Sequence, residues 1–578
     1  MHNEACGKID RRDFLRAGLA TVGAAAGLPV TACARTESGP PAVVYHNGAI
    51  LTMAGDTPEY VEAVAVRDGR IAYAGTFDGA VAAAGQAAHV DLRGRTMLPG
   101  FIDTWGHFTL LAQQTLGVNL AYFADKPPRT KADVVALLMA ASPFNGWIVG
   151  SGYYAALLSD GPLTLADLDA AFPDTPVLIG TLSTLTGQLN SAGIGKLGLT
   201  PQTPVSQSGQ IVTDPRTGKL TGELDFGPFL AARTAAVGTY SVDRAVETFQ
   251  AAEALLVKQG YTTVQSYQLL PEEISNLRSA FDRGAIAVDV IGMPSVSDAA
   301  TGTIVRNADW TWGAYSHGDR GLKIPGYQVA TDAAPQLRLA AFTRPYLDTT
   351  GFPDGWRGVL LGTDLVEEWV DYAYANGIQL FGYSNGDAGI DLSLAAIEKA
   401  IAAHGEGTDR RTSIAHAYFV RPDQLATFKR LGIGASMMPP HLMLYGDEQM
   451  TLLGPDRATM ESPLASAVKA GLATTLHCDC PSASPNVMEA IGTAATRTTL
   501  SGQVLGPQER LDPYAALLGF TRDAAYTYRE EAVRGTIAAG KVADLVVLED
   551  NPLTVSPDAI KDIQVVETIK RGETVYRR

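Results

Sequence analysis

Between Leu98 and Asp523 the chain repeats one pattern: a short apolar run that closes on polar residues, then an amphipathic stretch that stops on glycine. Eight runs fit it: "GFIDT", "GYTTVQS", "AVDVIGMP", "GYQVATD", "IQLFGYS", "TSIAHAY", "GIGASMM" and "LATTLHCD". Between several of them lie stretches such as "AVETFQAAEALLVKQG" and "PDQLATFKRLG", amphipathic at helical spacing and stopped by glycine as helix ends are. Strands alternating with helices predict a parallel sheet, and eight such units predict a closed (β/α)8 TIM barrel of the α/β class. Such a barrel needs about 250 residues. The chain has 578, so an insertion is expected, best placed at about 120–242, where "SGQIVTDPRTGKLTGEL" reads as a polar hairpin outside the barrel rhythm.

The two ends read differently. Across 42–97, Asn47-Gly48, Asp68-Gly69 and Arg93-Gly94 punctuate short runs of Val, Ile, Ala and Tyr, which is hairpin chemistry. Short strands broken by glycine return at 534–578 in "RGTIAAGKVADLVVLEDNPL" and "VVETIKRGETVYRR". The expected domains are therefore an N-terminal part of a β-sandwich at 42–97, the barrel at 98–523, and the rest of the same composite sandwich at 534–578.

A formal net charge of −16 argues against nucleic acid, whose phosphates call for clustered Lys and Arg. The partner is expected to be a small molecule, and oligomeric state is left open. Residues 1–33 are set apart from the fold. Arg11-Arg12 precede Phe14-Leu15 and a mildly apolar stretch too short to span a bilayer, the order of a twin-arginine export signal. "VTAC", ending at Cys33, resembles a bacterial lipoprotein processing site. The expectation is a periplasmic protein that touches the membrane only through a lipid on Cys33. Of the four cysteines, Cys6 falls in this leader, and Cys478 and Cys480 are too close along a strand end to bridge each other readily, so no disulfide framework is expected.

Chemistry in a TIM barrel collects at the C-terminal ends of its strands. The polar residues there are Asp103, His107, Gln328, Asp332, Tyr383, Asn385, Asp387, His416, Ser436, His441 nearby, His477, Cys478 and Asp479. Asp103 reads as a buttress of the rim. Asp332 and Asp387, in "TDAAPQ" and "NGDAG", read as turn residues whose carboxylates accept backbone N–H bonds.

With "NGAILTM", "EAVAVRDGRIAYAG" and "TMLPGFID" entering the barrel, "GYTTVQ", "NGDAGID", "IAHAYFVRPDQL" and "TRDAA" inside it, and "GTIAAGKVADLVVLEDNPL" leaving it, the chain resembles the amidohydrolase superfamily. Within that superfamily it is similar to the branch that includes the N-substituted formamide deformylases. The resemblance runs from Val43 to Tyr576 and implies a metal-dependent hydrolase fold. It also implies metal ligands: a His-x-His pair after the first strand, Lys or Glu on the fourth, a His on each of the fifth and sixth, and an Asp on the eighth. Here those places hold Trp105-Gly106-His107, Gln328, Tyr383, His416 and Asp479. Tryptophan does not ligate, and glutamine lacks the carboxylated-lysine chemistry that bridges two metals, so a binuclear centre is not expected.

Three readings of this site stay open. In the first, the protein is an exported hydrolase of non-peptide carbon–nitrogen bonds with one divalent metal, zinc, on His107, His416 and Asp479, since two histidines and a carboxylate can hold catalytic zinc. In the second it has no metal and works as an acid/base hydrolase or lyase: Asp479 orients His416, Tyr383 donates to an oxyanion, Gln328 orients a carbonyl and Trp105 stacks on a planar substrate. His441, above the pocket, and His477 complete the expected substrate-binding set. In the third the pocket is the ligand cup of a non-catalytic binding lipoprotein.

Overall fold

The computed structural model describes residues 42–205, 209–405, 407 and 409–578; the export and lipidation signals read at 1–33 lie outside the described residues. The eight barrel strands are β1 Phe101–Ile102, β2 Tyr261–Tyr267, β3 Asp289–Met293, β4 Gly326–Ala330, β5 Gln379–Ser384, β6 Ser413–His416, β7 Gly434–Met437 and β8 Thr474–Leu476. Neighbours pair in parallel from β1 to β3 and from β4 to β8. Between β3 and β4 the wall is carried by Ser295–Val296, the continuation of β3 beyond Pro294, with Ser295 opposite Gln328. Thr104, just past β1, closes the ring by donating from Oγ1 to the Leu476 carbonyl of β8 at 3.1 Å. The fold is the α/β barrel that the strand–helix alternation implies.

The strands are buried on both faces, which is why they read as continuous apolar runs rather than alternating ones. Helices between them start and stop on local chemistry. Ser241 caps Val242–Val257 through its side chain. Pro422 opens Pro422–Leu431, and Gly432 ends it in the left-handed conformation.

The two chain ends meet in one eight-stranded sheet. Leu545–Leu548 lies antiparallel to Thr96–Pro99, so a C-terminal strand pairs directly with the strand that leads into the barrel. This sheet is fixed to the barrel by buried charge. Arg534 Nη1 donates to Asp289 Oδ2 at 2.7 Å and to Thr263 Oγ1 at 2.6 Å, and Lys570 Nζ donates to Asp289 Oδ2 at 2.7 Å and to Asp544 Oδ2 at 2.8 Å. A second sheet of six strands lies within 118–226, the stretch where the barrel rhythm lapses. The helix Gly227–Val237 that follows carries the chain back toward β2.

Candidate active site

The turn after β1 sets the whole mouth of the barrel. Asp103 Oδ1 accepts the Trp105 N–H at 3.2 Å, Gln265 Oε1 accepts the Gly106 N–H at 2.8 Å, and the Gly106 carbonyl accepts the Tyr267 N–H at 2.9 Å. Residue 106 has to be glycine, because a Cβ there would stand 2.0 Å from Asp103 Oδ2. Burial pushes the Asp103 carboxyl up to about 7, against the opposing pull of the Trp105 and Gln265 N–H groups.

Clamped this way, the Trp105 indole points into the barrel and is only 1% exposed. Its ring centroid lies 4.7 Å from Tyr267, 5.7 Å from Tyr383, 5.5 Å from His416 and 6.4 Å from His477. It is therefore a plug in the middle of the mouth, and the expectation that it stacks on a substrate is corrected. Its Nε1 has no hydrogen-bond partner among the described residues.

Around the plug the polar residues form two hydrogen-bonded pairs, with Asp479 of one and His416 of the other bordering the same recess. In one, His107 Nε2 lies 3.1 Å from Asp479 Oδ1, with both side chains partly accessible at 12% and 11%. His107 Nδ1 makes no hydrogen bond to the described residues. In the other, His416 Nδ1 lies 3.3 Å from His477 Nε2, with the rings stacked 5.0 Å apart, and Tyr418 stacks on His416 at 4.9 Å. Burial holds both imidazoles low, His477 at about 3, while the Asp479 charge pulls His416 back up. The expected pairing of Asp479 with His416 is thus replaced: Asp479 orients His107, and His416 is a neutral ring bonded to another neutral ring. His416 and Asp479 both hold left-handed φ, +69° and +55°, a conformation non-glycine residues seldom adopt and that gathers at functional sites.

Gln328 is fully buried; its Oε1 accepts from Ser295 Oγ at 2.6 Å, its Nε2 has no partner among the described residues, and it lines neither recess. Tyr383 borders a small recess of ≈ 40 Å³ together with His416, His441 and Asp479, and burial raises its phenol well above the ordinary range. His441 lies in the helix Pro439–Leu453, its Nδ1 2.7 Å from Glu461 Oε1 and its Nε2 3.1 Å from Gln336 Oε1. His477 is fully buried and reaches neither recess. Asp332 accepts four N–H groups, from Ala341, Gly386 and both nitrogens of Asn385, a loop clamp. Asp387 accepts from Thr343 and pairs with Arg421.

A larger cleft of ≈ 260 Å³ opens on the His107 side. His107, Tyr267, Gln268, Ser295, Glu273 and Arg233 line it. Tyr267 packs edge-on to His107 at 5.0 Å, and burial pushes its phenol up to about 12, so it keeps its proton. Strand reading stopped one residue short of Tyr267, which ends β2 at the same level as the other mouth residues. Arg233 sits in the insertion, where sequence offers no rhythm to place it.

The fold family implies a divalent metal, and the residues present do not fit one. No group of three or more His, Cys, Asp or Glu is arranged to hold an ion among the described residues. His107, His416 and Asp479 do not converge as a ligand set, because the Trp105 indole fills the mouth and His416 is turned to His477. Cys478 and Cys480 offer no substitute: both are buried thiols pushed upward by burial, and the Tyr261 hydroxyl donates to Cys478 Sγ at 3.4 Å.

Comparison with known proteins gives a consistent picture. A family model described as Amidohydrolase family matches residues 88–576. An N-substituted formamide deformylase of Arthrobacter pascens is 26% identical over 533 residues, covering 89% of this chain and 95% of the relative. A putative amidohydrolase of Bacillus subtilis (strain 168), YtcJ, is 25% identical over 573 residues, covering 93% and 99%. Among solved structures, an uncharacterized metal-dependent hydrolase of Pyrococcus horikoshii OT3 superposes with a TM-score of 0.70 at 21% identity, covering 89% of this chain and 99% of the other.

Proposed function

The chain belongs to the amidohydrolase family, and from that premise we propose that it hydrolyses carbon–nitrogen bonds of small non-peptide amides with its own acid and base groups. N-substituted formamides are the first candidates, by analogy with the similar deformylase. The observation that carries the reading is the His107–Asp479 pair, 3.1 Å apart and partly accessible beside a cleft large enough for a substrate.

Asp479 holds the His107 ring through Nε2, which leaves Nδ1 to accept a proton. A water gives that proton up as its oxygen bonds to the amide carbon. The Tyr267 phenol, protonated at working pH, donates to the oxygen that gains charge. The imidazolium then returns the proton to the amide nitrogen as the carbon–nitrogen bond breaks. No step is routed through a metal, since the residues present do not form a site for one.

The test is turnover of a panel of N-substituted formamides and acetamides. His107→Ala and Asp479→Asn each lower kcat/KM at least 10³-fold, about 4 kcal/mol of transition-state stabilisation, Tyr267→Phe lowers kcat about 10- to 100-fold, and chelator treatment leaves the rate unchanged. Retained turnover in His107→Ala, or loss on chelation with recovery on adding zinc, refutes it. We further propose export and lipid anchoring at Cys33, on the order of residues in the N-terminal segment; Cys33→Ala would move the protein from the membrane fraction to the soluble periplasmic one.

A further inference from the structure

Outside the mouth, a second set of reactive side chains meets on the hairpin of Tyr315–His317 and Arg320–Lys323, whose second strand pairs in parallel with β3. Ser316 Oγ lies 2.8 Å from His317 Nδ1, and His317 Nε2 lies 3.0 Å from Oδ1 of Asp282, the last residue of the helix Pro271–Asp282. A carboxylate only accepts, so in the neutral ring Nε2 holds the proton and Nδ1 takes the serine hydroxyl. That is the order in which a serine nucleophile is activated. The backbone is shaped to this contact. The Leu322 N–H donates to Ser316 Oγ at 3.1 Å. Gly321, at φ +99°, leaves the space, since a Cβ there would stand 2.5 Å from Ser316 Oγ and 3.1 Å from His317 Nδ1. Ser316 and His317 both line a cavity of ≈ 380 Å³ with Trp310, Ile324, Arg278 and Asp309, and none of these residues borders either recess of the mouth.

We propose that Ser316, His317 and Asp282 form a second hydrolytic site, independent of His107, that cleaves small neutral carboxylic esters through an acyl-serine. His317 Nδ1 takes the hydroxyl proton as Ser316 Oγ bonds to the carbonyl carbon. The ester carbon–oxygen bond breaks, and the imidazolium gives its proton to the departing oxygen, which leaves as an alcohol. A water then gives a proton to the same nitrogen as its oxygen bonds to the acyl carbon; the bond to Oγ breaks, Oγ takes the proton back and the acid leaves. Asp282 is a positioning residue: it fixes the ring, and the negative end of its helix favours the cation that forms. With His317 and Asp282 both reached by solvent, the site suits a leaving oxygen, which departs more readily than an amine. Trp310 and Ile324 supply an apolar wall for a short or planar acyl group, and Asp309 on the same cavity disfavours an acid.

The probe is diisopropyl fluorophosphate, from which an activated serine oxygen displaces fluoride, followed by intact mass and peptide mapping of the full-length protein. One adduct is expected, on Ser316. It is absent from Ser316→Ala, and labelling slows about 100-fold in His317→Gln. Asp282→Asn slows labelling about 10-fold and Asp282→Glu regains part of the rate, both at an unchanged denaturation midpoint, a pattern that a merely structural carboxylate would not give. Hydrolysis of p-nitrophenyl acetate and butyrate, measured in His107→Ala to silence the mouth, falls about 10-fold or more when Ser316→Ala is added, while Ser316→Ala alone leaves formamide turnover unchanged. The wild-type peptide map decides the assignment even where Ser316→Ala does not fold. No adduct, an adduct on any other residue, or ester turnover that survives Ser316→Ala overturns the inference.

Discussion

Trp105 offers the sharpest test of how this site is built, because its two halves pull in opposite directions. The indole is 1% exposed and ringed by Tyr267, Tyr383, His416 and His477, so cutting it back to alanine leaves a cavity that rigid aromatic neighbours cannot close. Such truncations cost about 3–5 kcal/mol. The indole also holds a buried Nε1–H with no partner among the described residues, and an unmet buried donor costs about 1–3 kcal/mol. Trp105→Phe removes that donor and keeps most of the ring; the lost ring volume costs about 1 kcal/mol. The two changes nearly cancel. Trp105→Phe is expected to match wild type within about 1 kcal/mol or to exceed it slightly, while Trp105→Ala falls by about 3–5 kcal/mol. Guanidinium denaturation followed by far-UV circular dichroism, fitted with one shared slope, separates these outcomes. Because the indole borders neither recess, kcat/KM of Trp105→Phe should stay within about threefold of wild type, less than 1 kcal/mol. If Trp105→Phe is as destabilised as Trp105→Ala, the Nε1–H is bonded to something that the packing does not reveal, and the plug assignment fails.

The buried imidazoles make stability depend on pH in a defined direction. His477 and His416 both titrate below their ordinary range in the fold, His477 at about 3, so between 6.5 and that value the unfolded chain binds more protons. Stability is complete above about pH 6.5 and falls as pH drops below it, by roughly 2 kcal/mol at pH 5 for His477, with His416 adding in the same direction; His477→Asn should flatten the fall in denaturation midpoints between pH 7.5 and 5. Asp289 is a second site of high cost. Burial would raise its carboxyl, but Lys570 and Arg534 outweigh that and hold it below the usual range. Asp289→Ala leaves Lys570 facing Asp544 alone and Arg534 sharing Asp544 with it beside Glu530, and should cost about 3–5 kcal/mol, read as a lower denaturation midpoint; a loss under 1 kcal/mol would contradict the anchoring role given to the cluster.

The barrel was legible because its signal is periodic. Eight apolar runs with helices between them, stopped by glycine, leave few alternatives. The insertion resisted reading for the opposite reason: its strands pair partly in antiparallel hairpins and partly across a helix, so no single period runs through it. Arg233, which lines the larger cleft, was invisible for that reason alone.

The mouth residues were found individually and misjoined. Strand ends told which side chains share a rim, since β-strand geometry fixes the side of the barrel, but rim membership does not say which of several imidazoles reaches a given carboxylate. That choice is made by volume. An indole occupies the centre, and a ring of its size forces His416 back against His477 while His107 is left to Asp479. Residue types that cannot bind a metal therefore do more than remove ligands: Trp105 rearranges the ligands that remain. A chain could keep His107, His416 and Asp479 in sequence and still have no common point at which the three meet, which is why the sequence leaves a one-metal site open as a reading while no such group forms among the described residues. The same displacement gives the acid/base reading its basis, because a histidine released from a metal and held by one carboxylate is in the arrangement that proton transfer requires.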